Sequence, residues 1–379
     1  MRVKLKDIFD LQMGKTPSRS NLEYWNTTDY KWISIADLTK TSKYIFETKE
    51  YLSKSAIKDS GIKVIPANTV LMSFKLSIGK TAITKEDMYS NEAIMAFKDK
   101  HVINIIPEYI FYLFKYKNWE ECSNKAVMGK TLNKATLSEI EVEICSIEKQ
   151  RQIVNILDKI MSAVDGRKQE LQLLDELIKA RFVEMFGNPV TNEKGWNQKQ
   201  LGEITTKLGS GATPKGGKEA YQEDGITLIR SMNVHNGLFE YKELAHISEE
   251  QATKLDNVTI EENDVLLNIT GASVARSCVV PSKILPARVN QHVCIIRCNQ
   301  RIVPEFLNKL LIDDNYQRLL WSIARGGATR EAITKQQVES LKIIVPPIEL
   351  QNQFADFVHQ VDKSKVAVQK ALDETQILF

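Results

Sequence analysis

A long helical pattern in the middle of the chain is its most regular stretch of hydrophobic and polar positions. Between Glu148 and Phe186, apolar residues recur in alternating steps of three and four, which places them on one face of a helix. Gly187, Asn188 and Pro189 then favour a left-handed cap and a stop. At about 1.5 Å per residue, the helix would be roughly 58 Å long. We predict a coiled-coil seam formed by Leu157, Ile160, Val164, Leu171, Leu174 and Ile178.

The end of the chain carries a second copy of this pattern, from Ile348 to Phe379. Ile147-Glu148-Lys149-Gln150 at the start of the central helix aligns with Ile348-Glu349-Leu350-Gln351. A helix as long as the central one needs a partner to cover its apolar stripe, and the second helix can supply it. We therefore expect the two helices to form an antiparallel coiled coil, in which the second helix contributes Phe354, Phe357, Val361 and Val368.

The segments that precede the two helices also repeat, at a displacement of about 197 residues. The clearest matches are Gly14-Lys15-Thr16-Pro17 with Gly211-Ala212-Thr213-Pro214, Asn68-Thr69-Val70-Leu71 with Asn263-Asp264-Val265-Leu266, Ser77-Ile78-Gly79-Lys80 with Ser273-Val274-Ala275-Arg276, and Gly129-Lys130-Thr131 with Gly327-Ala328-Thr329. Repetition in the same order before a similar helix indicates an internal duplication. The predicted organisation is a globule at 1–146, a helix at 147–190, a second globule at 191–347 and a second helix at 348–379.

Each globule mixes short alternating strands with helical segments. Strand patterns occur at Trp32–Ile35 and Thr69–Met72 in the first globule and recur in the second. Helical patterns occur at Glu108–Trp119 and Phe306–Leu320. The first of these helices is rich in aromatic residues, for which core packing is a better explanation than a platform for stacking bases. The predicted fold class is α+β, with two similar globules separated by two long helices and related by approximate two-fold symmetry.

Composition favours a folded protein and leaves the ligand open. The chain has 379 residues, of which 43% are hydrophobic, enough for packed cores. It has no run of about 20 apolar residues, and its first residues lack the apolar region of a signal peptide, so we expect a cytoplasmic protein with reduced cysteines. The net charge is only +3, but nine Lys or Arg residues accompany three acids between Val265 and Arg330. That excess suits phosphate binding, and it equally suits ordinary solvation.

The sequence lacks the usual signatures of catalytic and cofactor sites. His292, Cys294 and Cys298 are possible zinc ligands, but alternate positions of a buried strand explain the thiols better. Glu47-Thr48-Lys49 has the shape of a nuclease motif that is common in lysine-rich chains, and no Asn/Asp-Pro-Pro-aromatic element for adenine methylation is present. The upstream glycine of a phosphate-binding loop is missing at the Gly-Lys-Thr triplets that begin at Gly14, Gly79 and Gly129. We therefore predict a non-catalytic protein.

Two similar but diverged globules suit the reading of two different short DNA sequences, whereas an identical pair reads a palindrome. The chain resembles, over its full length, the specificity subunit of a Type I DNA restriction-modification system. The resemblance rests on the two Thr-Pro loops, the loop 271–276 with Asn290-Gln291-His292, the loop 326–329, and the helix start Pro346-Pro347-Ile348-Glu349-Leu350-Gln351. Cys145-Ser146 departs from the Pro-Pro that the family usually has at the first helix.

The resemblance implies two target recognition domains, each reading half of an asymmetric bipartite site, and a coiled coil that sets their spacing. It also implies assembly on double-stranded DNA with two methyltransferase subunits and with motor-nuclease subunits. S-adenosylmethionine, ATP and Mg²⁺ would belong to those partners, and this chain would bind no cofactor or metal. The alternatives are a repeat scaffold that does not bind DNA and a standalone DNA-modifying enzyme. On the repeated loops, the predicted DNA contacts are Lys15, Lys80, Lys130, Lys215, Arg276, Asn290, Arg325 and Arg330.

Overall fold

The computed structural model describes residues 1–75, 77–119, 132–326 and 331–377. The chain divides into two compact units, Met1–Val164 and Asp165–Phe379. Both units combine helices with strands, which confirms the predicted α+β class. Among the described residues, none of the helices has both the length and the apolar character needed to cross a membrane.

The first unit is built on two main sheets, a two-stranded sheet and several short helices. Its strands are β1 (Arg2–Lys4), β2 (Phe9–Met13), β3 (Tyr30–Ile33), β4 (Tyr44–Ile45), β5 (Glu50–Leu52), β6 (Val70–Ser73), β7 (Thr81–Thr84), β8 (Tyr89–Ser90), β9 (Ile94–Asp99) and β10 (Glu141–Glu143). Its helices are α1 (Leu5–Ile8), α2 (Ile35–Lys40), α3 (Lys54–Ser60), α4 (Pro107–Tyr116), α5 (Lys134–Glu139) and the first part of α6 (Ile147–Phe186). The sheet orders are β2-β9-β6-β7-β4 and β5-β3-β8, and β1 pairs with β10.

The central strand β6 is buried along its whole length because both faces of the larger sheet are covered. Val70 and Met72 pack in one cluster with the aromatic residues of α4, whereas Leu71 packs in another with Ile33 and Leu38. Burial on two faces produces an uninterrupted apolar run instead of an alternating one. Tyr109, Phe111, Tyr112 and Phe114 of α4 are core residues, in agreement with the packing interpretation.

The predicted strand at Trp32–Ile35 is shorter in the structure. β3 ends at Ile33, and Ser34 caps the next helix instead of continuing the strand. The Ser34 hydroxyl accepts a hydrogen bond from the Asp37 N–H at 3.2 Å, and the Asp37 carboxylate accepts one from the Ser34 N–H at 2.9 Å. This reciprocal capping box stabilises a helix start. It therefore overrides the apolar-polar alternation that predicted a strand.

The second unit contains the rest of α6 and the following elements. Its strands are β11 (Gln198–Gln200), β12 (Thr205–Ser210), β13 (Ile226–Ile229), β14 (Val234–His235), β15 (Leu238–Phe239), β16 (Ala245–Ile247), β17 (Val265–Asn268), β18 (Ser277–Val279), β19 (Ala287–Val289), β20 (Val293–Cys298) and β21 (Lys342–Ile344). Its helices are α7 (Glu249–Thr253), α8 (Pro304–Leu311), α9 (Asp314–Arg325), α10 (Lys335–Glu339) and α11 (Ile348–Gln376). The main sheet orders are β12-β20-β17-β18 and β16-β13-β19.

The two units repeat the same topology. The pairing β2-β9-β6-β7 of the first unit corresponds to β12-β20-β17-β18 of the second, and β5-β3-β8 corresponds to β16-β13-β19. Backbone conformations repeat as well: Asn68 and Asn263 both have positive φ, at 58° and 66°, before equivalent strands. Gly79 and Ala275 likewise share positive φ, at 89° and 71°. The internal duplication predicted from the sequence is therefore a duplication of structure.

The predicted helix Phe306–Leu320 is two helices, α8 and α9, in the structure. The break follows Leu311, where Asp313 caps α9 by accepting hydrogen bonds from the N–H groups of Asn315 and Tyr316 at 2.9 and 3.2 Å. Aspartate is a favourable N-cap residue, because its carboxylate accepts hydrogen bonds from the unpaired N–H groups of the first turn. The apolar spacing alone did not reveal this interruption, because the stripe continues across the break.

The second half of α6 packs antiparallel to α11 within the second unit. Phe186 and Phe354 have ring centroids 5.5 Å apart. Further along, Lys365 Nζ lies 2.7 Å from Asp175 Oδ1, and Arg167 donates hydrogen bonds to the Ala371 carbonyl and to the Thr375 hydroxyl. Residue numbers thus fall along one helix as they rise along the other, which defines antiparallel packing.

The predicted seam residues do not all pack on the same unit. Leu174, Ile178, Phe354, Phe357 and Val361 pack in the core of the second unit. Leu157 instead packs on the core of the first unit, because the early turns of α6 serve there as a core helix. The other predicted seam positions are buried at Val164 and half-buried at Ile160, Leu171 and Val368.

A fully buried glutamine sits in the first turn of each long helix. The Gln150 side chain accepts a hydrogen bond from the Ile106 N–H at 2.9 Å and donates to the Asn104 and Cys145 carbonyls at 3.0 Å. Gln351 makes the matching bonds with Val303, Arg301 and Pro346 at 2.9, 3.1 and 2.9 Å. Both helices are therefore joined to their globules in the same way, although Cys145-Ser146 replaces Pro-Pro at the first.

Candidate nucleic-acid interface

Three loops of the second unit are bonded together at one end of its sheets. They follow β12 (211–215), β17 (269–276) and β19 (290–292), and we call them the second loop cluster. The Gly211 N–H donates to the Val293 carbonyl at 2.9 Å, and the Ala212 N–H donates to the Val289 carbonyl at 3.1 Å. The Ile269 N–H donates to the His292 carbonyl at 3.0 Å. Backbone bonds therefore hold the cluster together without depending on its exposed side chains.

The first unit has the same arrangement in the loops after β2 (14–16), β6 (74–80, with residue 76 outside the described residues) and β8 (91–93), which we call the first loop cluster. The Gly14 N–H donates to the Ile94 carbonyl at 3.1 Å, and the Lys15 N–H donates to the Ser90 carbonyl at 2.8 Å. The Phe74 N–H donates to the Ala93 carbonyl at 3.0 Å. Each of these bonds has its counterpart in the second loop cluster.

A glycine is required at the point where two of the loops meet. A Cβ on Gly14 would lie 2.1 Å from the Asn91 carbonyl oxygen, and one on Gly211 would lie 2.1 Å from that of Val289. Those contacts are with backbone and cannot be relieved by a side-chain rotation. The repeated glycine of the Thr-Pro loops is therefore explained by close backbone approach, not by phosphate binding.

An asparagine fixes the turn of the loop after β8 and β19. The Asn91 side-chain oxygen accepts from the Ala93 N–H at 2.9 Å, and that of Asn290 accepts from the His292 N–H at 3.1 Å. Asn290, which we predicted to contact DNA, is only 8% exposed. The side chain exposed at this turn is its neighbour Gln291, and the equivalent exposed residue in the first unit is Glu92. Sequence reasoning missed both, although they stand at matching positions of the repeat.

Each of these exposed residues is hydrogen-bonded by the threonine of a Thr-Pro loop. The Thr16 hydroxyl donates to the Glu92 carboxylate, and the Thr213 hydroxyl donates to the Gln291 amide oxygen at 2.5 Å. The pKa of Glu92 is lowered chiefly by this hydrogen bond and less by the charges of Lys75 and Arg19, with partial burial opposing the shift. Glu92 is therefore an ionised carboxylate at neutral pH.

Within the described residues, the predicted basic contacts lie on or beside the two loop clusters. Lys15 and Lys80 are exposed on the first cluster, and the Lys15 ammonium donates to the Ser60 carbonyl. Lys215 is exposed and Arg276 is half-buried on the second cluster. Arg325 is exposed at the end of α9, with its guanidinium 5.2 Å from the centre of the Trp321 ring. Lys130 and Arg330 lie outside the described residues.

The possible zinc ligands are used for packing and loop structure. His292 Nδ1 lies 2.6 Å from the Thr270 hydroxyl. Cys294 is in the core, where burial raises the pKa of its thiol to about 12, so the thiol remains protonated. Over the described ranges, there is no group of three or more His, Cys, Asp or Glu side chains that could hold a metal ion.

Comparisons with known proteins identify the family. Residues 1–176 and 193–375 match the Type I restriction modification DNA specificity domain. The MjaIX specificity subunit of Methanocaldococcus jannaschii is 26% identical over 393 residues, spanning 97% of this chain and 88% of the relative. The EcoR124I/EcoR124II specificity subunit of Escherichia coli is 25% identical over 171 residues, spanning 42% of this chain and 41% of the relative.

Solved structures show the same fold. The S subunit of a Type I restriction-modification system from M. genitalium has a TM-score of 0.59 at 14% identity, covering 100% of this chain and 93% of that chain. A chain from a study of type I R-M complex assembly gives a TM-score of 0.62 at 17% identity, with the same coverage. The family matches include both halves of the duplication, so this chain belongs to the Type I restriction-modification specificity subunits, the non-catalytic components of these systems.

Proposed function

We propose that each unit reads one half of an asymmetric, bipartite DNA site. The observation that carries the proposal is the pair of loop clusters, which share a backbone hydrogen-bond pattern but differ in their exposed side chains. The exposed residue is Glu92 in the first cluster and Gln291 in the second. Beside them, half-buried Lys75 and Ala93 stand where the second cluster has half-buried Thr270 and His292. Each base presents its own pattern of hydrogen-bond donors and acceptors in the groove, and protein side chains with matching groups recognise that pattern. The two clusters share one backbone arrangement but carry different side chains, and this suits the recognition of two different half-sites.

Basic residues around each cluster would supply the phosphate contacts. Lys80 and Arg276 occupy equivalent positions, since their carbonyls accept from the N–H groups of Ser73 and Asn268 at 2.8 Å in both units. Lys15, Lys215 and Arg325 add positive charge beside the clusters, and Lys130 and Arg330 remain predictions on the glycine-containing loops. Contacts of this type orient a protein on DNA without specifying sequence.

The partners belong to the same proposal. The chain would bind double-stranded DNA and join two methyltransferase subunits and the motor-nuclease subunits in the cytoplasm, with its long helices setting the spacing between half-sites and docking the methyltransferases. S-adenosylmethionine, ATP and Mg²⁺ would bind to those partners. This chain would contribute recognition and no catalytic group.

A domain exchange tests whether each unit reads its own half-site. Residues 1–146 are replaced with the corresponding part of a relative of different specificity, and the assembled complex is allowed to methylate a DNA library. Sequencing of the methylated sites should show a change in one half-site only. A change in both half-sites, or methylation without a bipartite motif, would contradict the proposal. A scaffold that does not bind DNA would give no sequence dependence at all.

A salt titration tests the phosphate contacts. Lys80→Ala and Arg276→Ala, in the assembled complex, should weaken binding to all DNA sequences and reduce the slope of log affinity against log salt by about one counterion each. Lys254→Ala is the matched control, because Lys254 is exposed immediately after α7 and paired with Glu250. Unchanged affinity and slope in both loop variants would show that these side chains do not contact phosphate.

A further inference from the structure

We infer that Glu92 and Gln291 are equivalent base-reading side chains, with Glu92 requiring a base that presents an amino group in the major groove and Gln291 preferring adenine. The inference deepens the proposed function and rests on it. It singles out one position in each unit as a determinant of specificity, and it states which bases each position accepts.

The two residues occupy the same place in the fold. Each follows the asparagine whose side chain holds the turn and whose N–H donates to β3 or β13, at 3.1 Å to the Ile33 carbonyl and at 3.0 Å to the Ile229 carbonyl. Each accepts a hydrogen bond from the threonine two residues after the tightly packed glycine. Each is exposed. The main chemical difference between the two positions is therefore a carboxylate in one unit and an amide in the other.

The carboxylate limits what Glu92 can bind. An ionised carboxylate only accepts hydrogen bonds. In the major groove, cytosine and adenine present an amino donor at N4 and N6, whereas guanine and thymine present acceptors at O6, N7 and O4. A carboxylate is also repelled by the phosphates of DNA. The neighbouring basic side chains of Lys75 and Arg19 would therefore face the DNA backbone, and Glu92 would face a base edge. Glu92 should therefore exclude guanine and thymine.

The amide gives Gln291 a different preference. Its oxygen accepts from the Thr213 hydroxyl at 2.5 Å, which orients the amide. Its nitrogen lies 3.5 Å from His292 Nε2, and because an amide NH₂ has two hydrogens, one remains able to donate to a base. A glutamine can bond to adenine at two points, accepting from N6 and donating to N7. Guanine offers two acceptors and would leave the remaining lone pair of the amide oxygen unused. Adenine is therefore the base that satisfies both ends of the oriented amide.

A reciprocal exchange tests the inference. Glu92→Gln and Gln291→Glu each install the residue that the other unit already carries in the same frame, and both side chains retain an oxygen that can accept from the threonine. Both variants should therefore fold, which thermal melting checks. Glu86→Gln is the matched control, because it makes the same charge change at an exposed residue on the turn after β7. Each variant is assembled with its methyltransferase subunits, and methylated sites are sequenced from a library of randomised half-sites.

Glu92→Gln should narrow the acceptance of cytosine or adenine to a preference for adenine at one position of one half-site, by about tenfold in relative rate. Gln291→Glu should shift one position of the other half-site from a preference for adenine to the acceptance of cytosine or adenine. Glu86→Gln should leave both half-sites unchanged. If both loop variants keep the wild-type motif with unchanged base preferences, the inference is wrong while the proposed function stands. If the wild-type complex shows no bipartite motif, the proposed function fails, and the inference fails with it.

Discussion

At the residue scale, one glycine and one asparagine determine the backbone conformation of each loop cluster. Gly14 and Gly211 allow two loops to touch, and Asn91 and Asn290 close the turn beside them. The residues that follow the asparagines are exposed, and each accepts a hydrogen bond from a threonine hydroxyl. The glycines and asparagines therefore determine the backbone conformation of the loops, and the residues after the asparagines provide the exposed polar groups.

Gly211→Ala should disrupt the second loop cluster. The new Cβ would meet the Val289 and Asn290 carbonyl oxygens at 2.1 and 2.3 Å, so the backbone must move. Overpacking of this kind costs about 1–3 kcal/mol. Gly209→Ala is the control two residues earlier, where a Cβ meets nothing within 4 Å and stability should be unchanged or slightly raised. Urea denaturation of both variants measures the difference, and equal midpoints would show that the loop relaxes freely.

The sequence predicted which loops matter, but not which side chains they expose. Repetition identified the Thr-Pro loops and the positions of Lys80 and Arg276, because a repeated motif is visible without coordinates. Asn290 and Gln291 are neighbours with the same amide group, and tertiary hydrogen bonds bury one and expose the other. No local pattern distinguishes them, so the prediction selected Asn290 and passed over Gln291.

At the element scale, the long helices are attached by buried side-chain hydrogen bonds as well as by apolar contacts. The periodic pattern predicted both helices, and the order of globules and helices along the chain predicted their antiparallel pairing. It did not predict that Leu157 would pack on the first unit, because an apolar stripe defines a face of a helix and not the partner of that face. Gln150 and Gln351 were visible in the aligned helix starts, but their three hydrogen bonds depend on carbonyls and N–H groups from distant segments.

Gln351→Met should destabilise the second unit by about 2–4 kcal/mol. Methionine has a similar volume but leaves the Val303 N–H and the Arg301 and Pro346 carbonyls without their buried partner. Gln353→Met is the control, because Gln353 is exposed two residues further along the same helix. Chemical denaturation compares the two variants. A loss no greater for residue 351 than for residue 353 would indicate that water replaces the glutamine without cost.

Gly166→Ala should stabilise α6. Gly166 lies in the helix interior, and a Cβ added there meets nothing within 4 Å. Alanine is favoured over glycine in such a position by about 0.5–1 kcal/mol. The melting temperature should rise while the methylated DNA motif stays the same. A fall in melting temperature would imply that the helix requires the glycine for a bend or for a bound partner.

At the scale of the whole molecule, one continuous helix contributes to the cores of both units. Ile153 and Met161 of α6 pack on the first unit, and Ile178, Phe182 and Phe186 belong to the core of the second. We propose that this helix, with α11, relates the length of the protein to the gap between half-sites.

Inserting one heptad near Leu171 and another near Leu372 should lengthen the preferred gap. Seven residues return each side chain to the same face, so the pairing of the helices is kept. The insertion adds about 10 Å at 1.5 Å per residue, equivalent to about three base pairs at 3.4 Å each. Methylation of sites with varied gaps measures the optimum, and both half-site sequences should be unchanged.

The control for that experiment inserts two residues at the same points. This rotates the apolar stripe away from its partner and should damage folding without producing a new spacing. An unchanged optimum in a well-folded heptad variant would rule out a role for the helices in measuring distance.

The sharing of α6 also affects how the protein unfolds. If the helix unravels, Leu157 leaves one core and Phe186 leaves the other, so neither unit keeps a complete interior. Unfolding should therefore be a single cooperative event, with calorimetric and van't Hoff enthalpies in agreement; two resolved transitions would contradict this expectation. A destabilising substitution confined to the first unit should then reduce the fraction of molecules that can recognise either half-site.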